Sequence, residues 1–294
     1  MHLRAWMRLF RLPNLVTVPG DPLAGLLLAT GGVWPGEPRA FAVVAAPLFL
    51  YCAGLALNDL RDVDEDRVER PARPLPAGEI SASAAWTAAA VFAAAGVLLS
   101  ALAGTRSLLV GGLLLLMIVF YNVSAKRVSV AGPFIMGLCR GLSVLLGAAP
   151  FLQRGVSDPL LLLGAFESIL LFIAMTTHLA RSETHGKSPM YAAWAPFAVI
   201  FLTAGFGACR ARPWGGALAA FGAAAILAAL FATRAAMGMT ERRRVVPWHI
   251  GILISALIPL QSMWIAAAGR WDIALALFAL LPLNHGLKRL ASAS

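Results

Sequence analysis

Long apolar runs without charged residues constrain the fold of this chain more than any other feature. Residues 82–103 and 108–120 contain no Asp, Glu, Lys or Arg. The hydrocarbon core of a bilayer is about 30 Å thick, and a helix needs about 20 apolar residues to cross it. Strands of an outer-membrane barrel would alternate apolar and polar residues, which these runs do not. The runs therefore predict membrane-spanning helices.

Ten mainly apolar segments follow one another and predict an all-α polytopic membrane protein. The last one carries Asp272 and ends near Pro282, features that also suit an interfacial helix, so we expect nine or ten transmembrane helices. We expect residues 1–294 to form a single transmembrane domain. The predicted spans are residues 14–33, 40–57, 82–103, 107–120, 130–152, 159–177, 190–209, 214–238, 246–268 and 271–287.

Composition excludes a water-soluble globular domain. Hydrophobic residues make up 60% of the chain and charged residues 13%, against roughly 45–50% and roughly 25% in soluble domains. The net charge of +10 would suggest a nucleic-acid partner in a soluble protein. Here the basic residues lie between the apolar segments, so they predict no nucleic-acid partner. Three scattered cysteines indicate neither a disulfide framework nor a zinc site.

The distribution of the basic residues predicts an orientation. Seventeen of the 24 Lys and Arg residues lie near the termini and in alternate connections, and six lie in the other connections. By the positive-inside rule, the N-terminus and the richer connections are cytoplasmic. No cleavable signal is recognised, so we expect the N-terminal residues to remain on the mature protein. The Ala-, Arg- and Gly-rich composition is typical of a GC-rich bacterial genome, which predicts the bacterial inner membrane.

An acidic cluster follows the second predicted span. Residues 58–81 contain seven of the fourteen acidic residues. If the second helix continues, Asn58, Asp62 and Asp66 recur at i, i+4 and i+8, with Asp59 on the same face. Carboxylate and amide oxygens on one face suit Mg²⁺, which leaves its other positions to water and phosphate oxygens. The alternative is a solvated helix end whose acids pair with nearby arginines at helical spacing.

Four short segments carry a recognisable pattern in chain order. They are Arg11-Leu12-Pro13-Asn14, Asn58-Asp59-x-x-Asp62-x-x-x-Asp66 with its tail Glu69-Arg70-Pro71-x-Arg73-Pro74-Leu75-Pro76-x-Gly78, Tyr121-Asn122 through Lys126, and Cys139-Arg140-Gly141. The pattern resembles the UbiA superfamily of intramembrane prenyltransferases, and its acidic part resembles the first aspartate motif of that family. The resemblance implies a UbiA-like helical bundle and an isoprenyl diphosphate donor. It also implies Mg²⁺ held by Asn58, Asp59, Asp62 and Asp66.

Basic residues near this motif are candidates for neutralising the diphosphate. The resemblance implies that Tyr121 and Lys126 take part in binding it, with Lys126 acting as a point charge. Without the resemblance, Lys126 reads as an ordinary cytoplasmic lysine. Arg140 lies inside an apolar span, where an arginine normally faces a cavity or a carboxylate. We expect it to face the polar site and pair with the aspartates, and a structural ion pair is the alternative. The spacing of Gly137 and Gly141 predicts close helix packing.

The connection after the sixth predicted span departs from the family pattern. UbiA-type enzymes usually carry a second D-x-x-x-D motif there, whereas residues 178–189 read HLARSETHGKSP, without aspartate. Glu183 is a candidate cation ligand in its place, and Arg181 and Lys187 are candidates for contacting phosphate oxygens. Ordinary polar loop residues are the alternative, and the i, i+5, i+7 spacing of His178, Glu183 and His185 disfavours a transition-metal site. The string is also similar to a divergent branch of the family called EboC.

These patterns lead to a functional prediction with one alternative. The chain is predicted to be an enzyme that transfers an isoprenyl group, with Mg²⁺, to a lipid-soluble and aromatic acceptor within the membrane. The alternative, favoured by the missing second motif, is a non-catalytic protein that binds or transports an isoprenoid or another hydrophobic metabolite. A channel or carrier is disfavoured because Arg140 and Glu167 are the clear charges inside the predicted spans. Membrane lipid is the expected surrounding, and no obligate protein partner is indicated.

Overall fold

The computed structural model describes residues 2–185, 190–211, 215–242 and 247–292, with side chains described except at 2, 154, 182–185, 190–191, 242 and 288–292. These ranges are helical and contain no strand. The α-helices are α1 His2–Leu9, α2 Leu12–Leu15, α3 Gly20–Ala29, α4 Pro38–Arg61, α5 Val63–Glu69, α6 Ala82–Leu102, α7 Thr105–Val123, α8 Ala131–Ala148, α9 Pro159–His185, α10 Ala195–Ala211, α11 Gly216–Arg242, α12 Pro247–Ala267, α13 Trp271–Phe278 and α14 Leu280–Ser292. Short 3₁₀ helices cover Ala125–Arg127, Ala149–Arg154 and Met190–Trp194.

Eight helices in the described ranges are long and apolar enough to cross a membrane. They are α4, α6, α7, α8 with its 3₁₀ extension, α9, α10, α11 and α12, and they correspond to eight of the ten predicted spans. The last predicted span is present as a shorter apolar stretch, Trp271–Leu287, divided between α13 and α14. The chain is an integral membrane protein, and the predicted all-α polytopic fold is confirmed.

The first predicted span, residues 14–33, differs from the expectation of a continuous membrane-crossing helix. Its main helix, α3, has 10 residues, which gives a length of about 15 Å. The proline at position 19 lacks a backbone N–H, and Gly31 and Gly32 adopt positive φ angles of 60° and 82° just beyond the other end. Nine of the ten residues of α3 are buried. A helix too short to cross the membrane is tolerated inside the bundle because neighbouring helices, rather than lipid, surround its ends.

Glycines allow the central helices to approach closely. A Cβ atom added to Gly25 of α3 would lie 1.9 Å from the Val144 carbonyl oxygen of α8. One added to Gly147 of α8 would lie 1.9 Å from the Pro22 carbonyl oxygen of α3. Gly137 faces α9 in the same way, with a backbone oxygen 2.2 Å from its added Cβ. The predicted close packing of the glycine pair in α8 is therefore confirmed, and α3 is held tightly against the same helix.

This contact predicts that Gly147→Ala destabilises the protein. A methyl group at this position would overlap a backbone oxygen, so α3 and α8 would have to separate at a cost of about 1–3 kcal/mol. Gly222→Ala in α11 is the matched control because an added Cβ there has no neighbour within 4 Å. Thermal unfolding in detergent should show a lower midpoint for Gly147→Ala and an equal or higher midpoint for the control. An unchanged midpoint for Gly147→Ala would contradict the packing.

Candidate active site

A cavity of about 370 Å³ lies among α4, α7, α8, α9 and the segment before α3. Along α4 its wall runs from Pro47 to Asp62, which corresponds to a helical rise of about 22 Å. The part near Asp62, which we call the polar end, is lined by Asn58, Asp62, Arg70, Arg73 and Arg181. Farther along α4 and α7 the wall is mostly apolar, with Pro47, Leu114 and Ile118 beside the aromatic Tyr51. The cavity suits a ligand that has an anionic head and an apolar tail.

The acidic motif begins on α4 and continues on α5, with an interruption at Asp62. Asp62 has φ −100° and ψ 3°, so the expected continuous helix through Asp66 is not formed. The hydrogen-bond spacing persists, however, since Asp62 N–H donates to the Asn58 carbonyl at 3.0 Å and Asp66 N–H donates to the Asp62 carbonyl at 2.7 Å. Asp59 and Asp66 are buried, whereas Asp62 lines the cavity. The i, i+4, i+8 residues thus stay close despite the break.

Basic side chains neutralise each carboxylate of the motif. Asp66 accepts a hydrogen bond from Arg73 at 2.6 Å. Asp59 lies 3.3 Å from the guanidinium of Arg11 and 3.8 Å from that of Arg73. Asp62 pairs with Lys126. The alternative interpretation, a solvated helix end, is correct for Asp64, whose side chain is 87% exposed beside Arg67. It does not apply to Asp59 and Asp66, which are buried.

Lys126, on the 3₁₀ turn after α7, contacts Asp62 of the polar end but does not itself line the cavity. Its pairing with Asp62 joins this turn to the acidic motif. The predicted phosphate-contacting residue Arg181, on α9, donates to the backbone carbonyls of Lys126 at 2.6 Å and Val128 at 2.9 Å. Arg181 therefore lines the cavity and also fixes the turn that carries Lys126. The side chains of Glu183 and Lys187 lie outside the described residues.

Arg140 has a different partner from the one expected. Its guanidinium forms an ion pair with Asp21 of α3, which is fully buried, and donates to the Thr17 carbonyl at 2.8 Å. Gln261 of α12 also donates to Asp21, at 2.6 Å. Arg140 lines the cavity, as predicted, but pairing with the motif aspartates is wrong because Asp21 supplies a closer carboxylate. The structural ion pair offered as the alternative is the arrangement observed.

Comparison with known proteins identifies the family. The sequence profile of the UbiA prenyltransferase family matches residues 22–184, which is more than half of the chain. This chain belongs to the UbiA prenyltransferase family. The resemblance seen in the motifs is thereby confirmed.

Relatives of this UbiA protein are similar over part of their length. Digeranylgeranylglyceryl phosphate synthase of Methanoculleus marisnigri is 33% identical over 149 residues, covering 51% of this chain and 52% of that protein. The enzyme of the same name from Sulfolobus acidocaldarius is 30% identical over 150 residues, covering 50% and 53%. The chain thus aligns with about half the length of the curated relatives it matches.

Solved UbiA structures share the fold of this chain. A UbiA homologue from Aeropyrum pernix K1 aligns with a TM-score of 0.64 at 22% identity, covering 84% of this chain and 94% of that one. A UbiA homologue from Archaeoglobus fulgidus, solved with DMAPP and Mg²⁺, aligns with a TM-score of 0.65 at 15% identity, covering 90% and 98%. Both alignments extend well beyond the segment that the family profile matches.

The acidic residues of this UbiA protein offer the oxygen donors that Mg²⁺ prefers, but they are occupied by basic side chains. In the part of the chain that the structure describes, no three His, Cys, Asp or Glu side chains form a group that could hold a metal ion. The buried Asp66 Oδ1 accepts no hydrogen bond from the described residues and lies 3.5 Å from Arg70, so it retains capacity for another partner. The donor set fits Mg²⁺ chemically, provided that Arg73 and Lys126 exchange their carboxylate partners.

Several residues of this UbiA site were not predicted from the sequence as site residues in their own right. Arg11 and Arg73 were noted within motifs, yet their pairing with the aspartates required the fold. Tyr51 and Asn122 line the cavity, and the buried Oδ1 of Asn122 accepts no hydrogen bond from the described residues. Asp21 was overlooked as a charge inside the first predicted span. A signal for it existed, because one acid and one arginine inside apolar spans are expected to pair.

Glu167 is, with Arg140, one of the clear charges inside the predicted spans. The structure places it on the exposed outer side of α9, between the exposed Leu163 and Leu171. It does not line the cavity that contains the acidic motif. Glu167 is therefore separate from the candidate active site.

The Asp21–Arg140 pair predicts a non-additive effect on stability. Arg140→Gln alone should lower stability by about 3–5 kcal/mol because it leaves the buried Asp21 carboxylate without its cation. Adding Asp21→Asn should recover much of the loss, since the double variant removes both charges. Thermal or denaturant unfolding in detergent measures both variants against the wild type. A double variant that is less stable than Arg140→Gln would contradict this account of the pair.

Proposed function

We propose that this protein transfers an isoprenyl group from an isoprenyl diphosphate to a lipid-soluble acceptor within the membrane. The observation that carries the proposal is the cavity with basic and acidic side chains at one end and an apolar wall beyond them. The family consists of prenyltransferases, and a structural relative was solved with DMAPP and Mg²⁺. The cavity would then hold the diphosphate head at its polar end and the isoprenyl tail against the apolar residues of α4 and α7.

The residues at the polar end are suited to the departure of diphosphate. When the allylic C–O bond breaks, its electron pair remains on the diphosphate oxygen, where negative charge increases. Lys126, Arg70 and Arg73 are positioned to stabilise that charge. The apolar wall excludes water from the allylic cation. A nucleophilic atom of the acceptor then forms the new bond to the isoprenyl carbon, and its proton passes to an oxygen of the departed diphosphate.

Asn58, Asp59, Asp62 and Asp66 are the residues that we propose hold Mg²⁺. A bound Mg²⁺ would supply additional positive charge to the diphosphate oxygens. Lys126 and Arg73 would then exchange their carboxylate partners for phosphate oxygens, because both groups bind either anion. The present ion pairs keep the same carboxylates neutralised when no ligand is bound. Tyr121 and Arg140 also line the cavity and are proposed to contact the bound substrates.

The chemical class of the acceptor can be narrowed to two candidates. An aromatic acceptor is the prediction from the sequence. A lipid bearing a phosphate is the second candidate, because relatives over half of the chain are named digeranylgeranylglyceryl phosphate synthase. The cavity wall supports the second candidate, since it contains five arginines and one carboxylate, namely Arg11, Arg70, Arg73, Arg140, Arg181 and Asp62. Both acceptors belong in the assay.

Replacement of Asp62 tests the catalytic proposal. Asp62→Asn should lower the rate of diphosphate release by about 100-fold or more, because it removes a carboxylate that we propose holds the Mg²⁺ neutralising the diphosphate. Asp64→Asn is the matched control on the neighbouring solvent-exposed side of the motif and should retain the wild-type rate. The assay supplies geranyl diphosphate, Mg²⁺ and each acceptor class, and chelation of Mg²⁺ should abolish turnover. Mg²⁺-dependent donor binding without turnover by the wild type would favour the non-catalytic alternative.

We further propose that the polar end of the cavity faces the cytoplasm, in a bacterial inner membrane. The excess of basic residues in the connections on that side supports this orientation. In a variant without the native Cys52, Cys139 and Cys209, Ala77→Cys should react with a membrane-impermeant maleimide only after the membrane is opened. Thr105→Cys, at the start of α7 and just beyond the opposite end of α6, should react in intact cells. The reverse labelling pattern would contradict the orientation.

A further inference from the structure

The turn that carries Arg11 has an unfavourable backbone conformation. Arg11 has φ 46° and ψ 55°, and it is the one non-glycine residue with positive φ in the described ranges. Its carbonyl accepts hydrogen bonds from the N–H groups of Asn14 at 2.7 Å and Leu15 at 3.4 Å. The Arg11 side chain lines the cavity and pairs with Asp59. Because a left-handed conformation is unfavourable for arginine, the surroundings must hold this turn in place.

Asn284 of α14 supplies a direct tether to this turn. Its side chain is 1% exposed, and its Nδ2 donates to the carbonyl of Pro13. The single hydroxyl proton of Ser255 on α12 is shared between the Gly251 carbonyl at 3.0 Å and Asn284 Oδ1 at 3.1 Å. Both halves of the amide are therefore engaged, which fixes its orientation. The contact joins residues that are 271 positions apart in the chain.

A second tether holds the other end of the same segment. The carbonyl of Thr17 accepts hydrogen bonds from Gln261 Nε2 at 2.7 Å and from Arg140 Nη2 at 2.8 Å. Residues 11–17 are thus anchored from α8, α12 and α14. The anchors on α12 and α14 lie beyond residues 22–184, the part that the family profile matches. The C-terminal helices therefore contact the very segment that brings Arg11 to the cavity.

We propose that Asn284 is a positioning residue, which holds the Arg11 turn so that the Arg11 guanidinium stays at the cavity beside Asp59. Asn284 does not line the cavity, so its effect on the reaction is transmitted through the Pro13 carbonyl and Arg11. The inference rests on the proposed prenyl transfer for its kinetic consequence. Its structural consequence, an ordered Arg11 turn, can be measured without turnover.

Kinetic measurements on full-length variants test the transmitted effect. Asn284→Leu removes the donor to Pro13 and should lower kcat/KM for geranyl diphosphate by about tenfold. Ser255→Ala leaves that donor in place and should have a smaller effect in the same direction. His285→Ala, an exposed neighbour on α14, is the control that should retain wild-type kinetics. In an Arg11→Gln background, Asn284→Leu should cause no further decrease, because it acts through Arg11.

Hydrogen exchange followed by mass spectrometry separates this inference from the proposed function. In Asn284→Leu and, to a smaller extent, Ser255→Ala, the amides of residues 14–18 should exchange faster, while those of α4 and α8 keep their protection. Faster local exchange in a protein that shows no turnover would support the tether and reject the proposed activity. Unchanged exchange of residues 14–18 in both variants, or loss of protection throughout the bundle in both, would overturn the positioning role. An additive loss of kcat/KM in the Arg11→Gln background would overturn it as well.

Discussion

A charge inside the hydrocarbon layer must be compensated by the protein, because water is not available to solvate it. The pairing of Asp21 with Arg140 satisfies this constraint at the centre of the bundle. It joins α3 to α8, and Gln261 connects the same carboxylate to α12. The contact of α3 with α8 also depends on Gly25 and Gly147, since larger side chains would keep these polar groups apart. Close packing and charge pairing are therefore parts of one arrangement.

The same constraint governs the polar end of the cavity, where the pairs are positioned to exchange partners. Asp59 and Asp66 are buried beside guanidinium groups, whereas Asp62 lines the cavity and pairs with Lys126 behind it. A ligand that carries both divalent cations and phosphate groups would offer each side chain a new partner of the correct charge. Such an exchange would keep the local charge balanced both with and without ligand. Ion pairs within the site are consequently compatible with proposed metal binding.

Apolar runs predicted most of the fold because burial in lipid leaves a strong local signal in the sequence. Eight of the ten predicted spans correspond to long helices. The first span was predicted too long. Its Gly-Asp-Pro sequence was treated as a minor interruption of a long helix, whereas it begins a short helix that is enclosed by protein. The spacing of the acidic motif predicted that its members lie close together, but not the break at Asp62. Spacing along the sequence predicts which residues are neighbours on successive turns of one helix. It cannot predict a partner from another helix, such as Asp21 for Arg140.

The end of α9 shows how a departure from the family pattern changes the chemistry of a site. Where UbiA-type enzymes usually carry a second aspartate motif, this chain places Arg181, which donates to the carbonyls of the turn bearing Lys126. A guanidinium cannot coordinate Mg²⁺, but it can orient a lysine by binding the backbone carbonyls of that lysine and of the residues after it. The described part of α9 therefore contributes positive charge and rigidity at a place where acids would contribute metal ligands. If the protein is catalytic, neutralisation of diphosphate on this side depends more on Lys126 and the surrounding arginines than on a second acidic cluster.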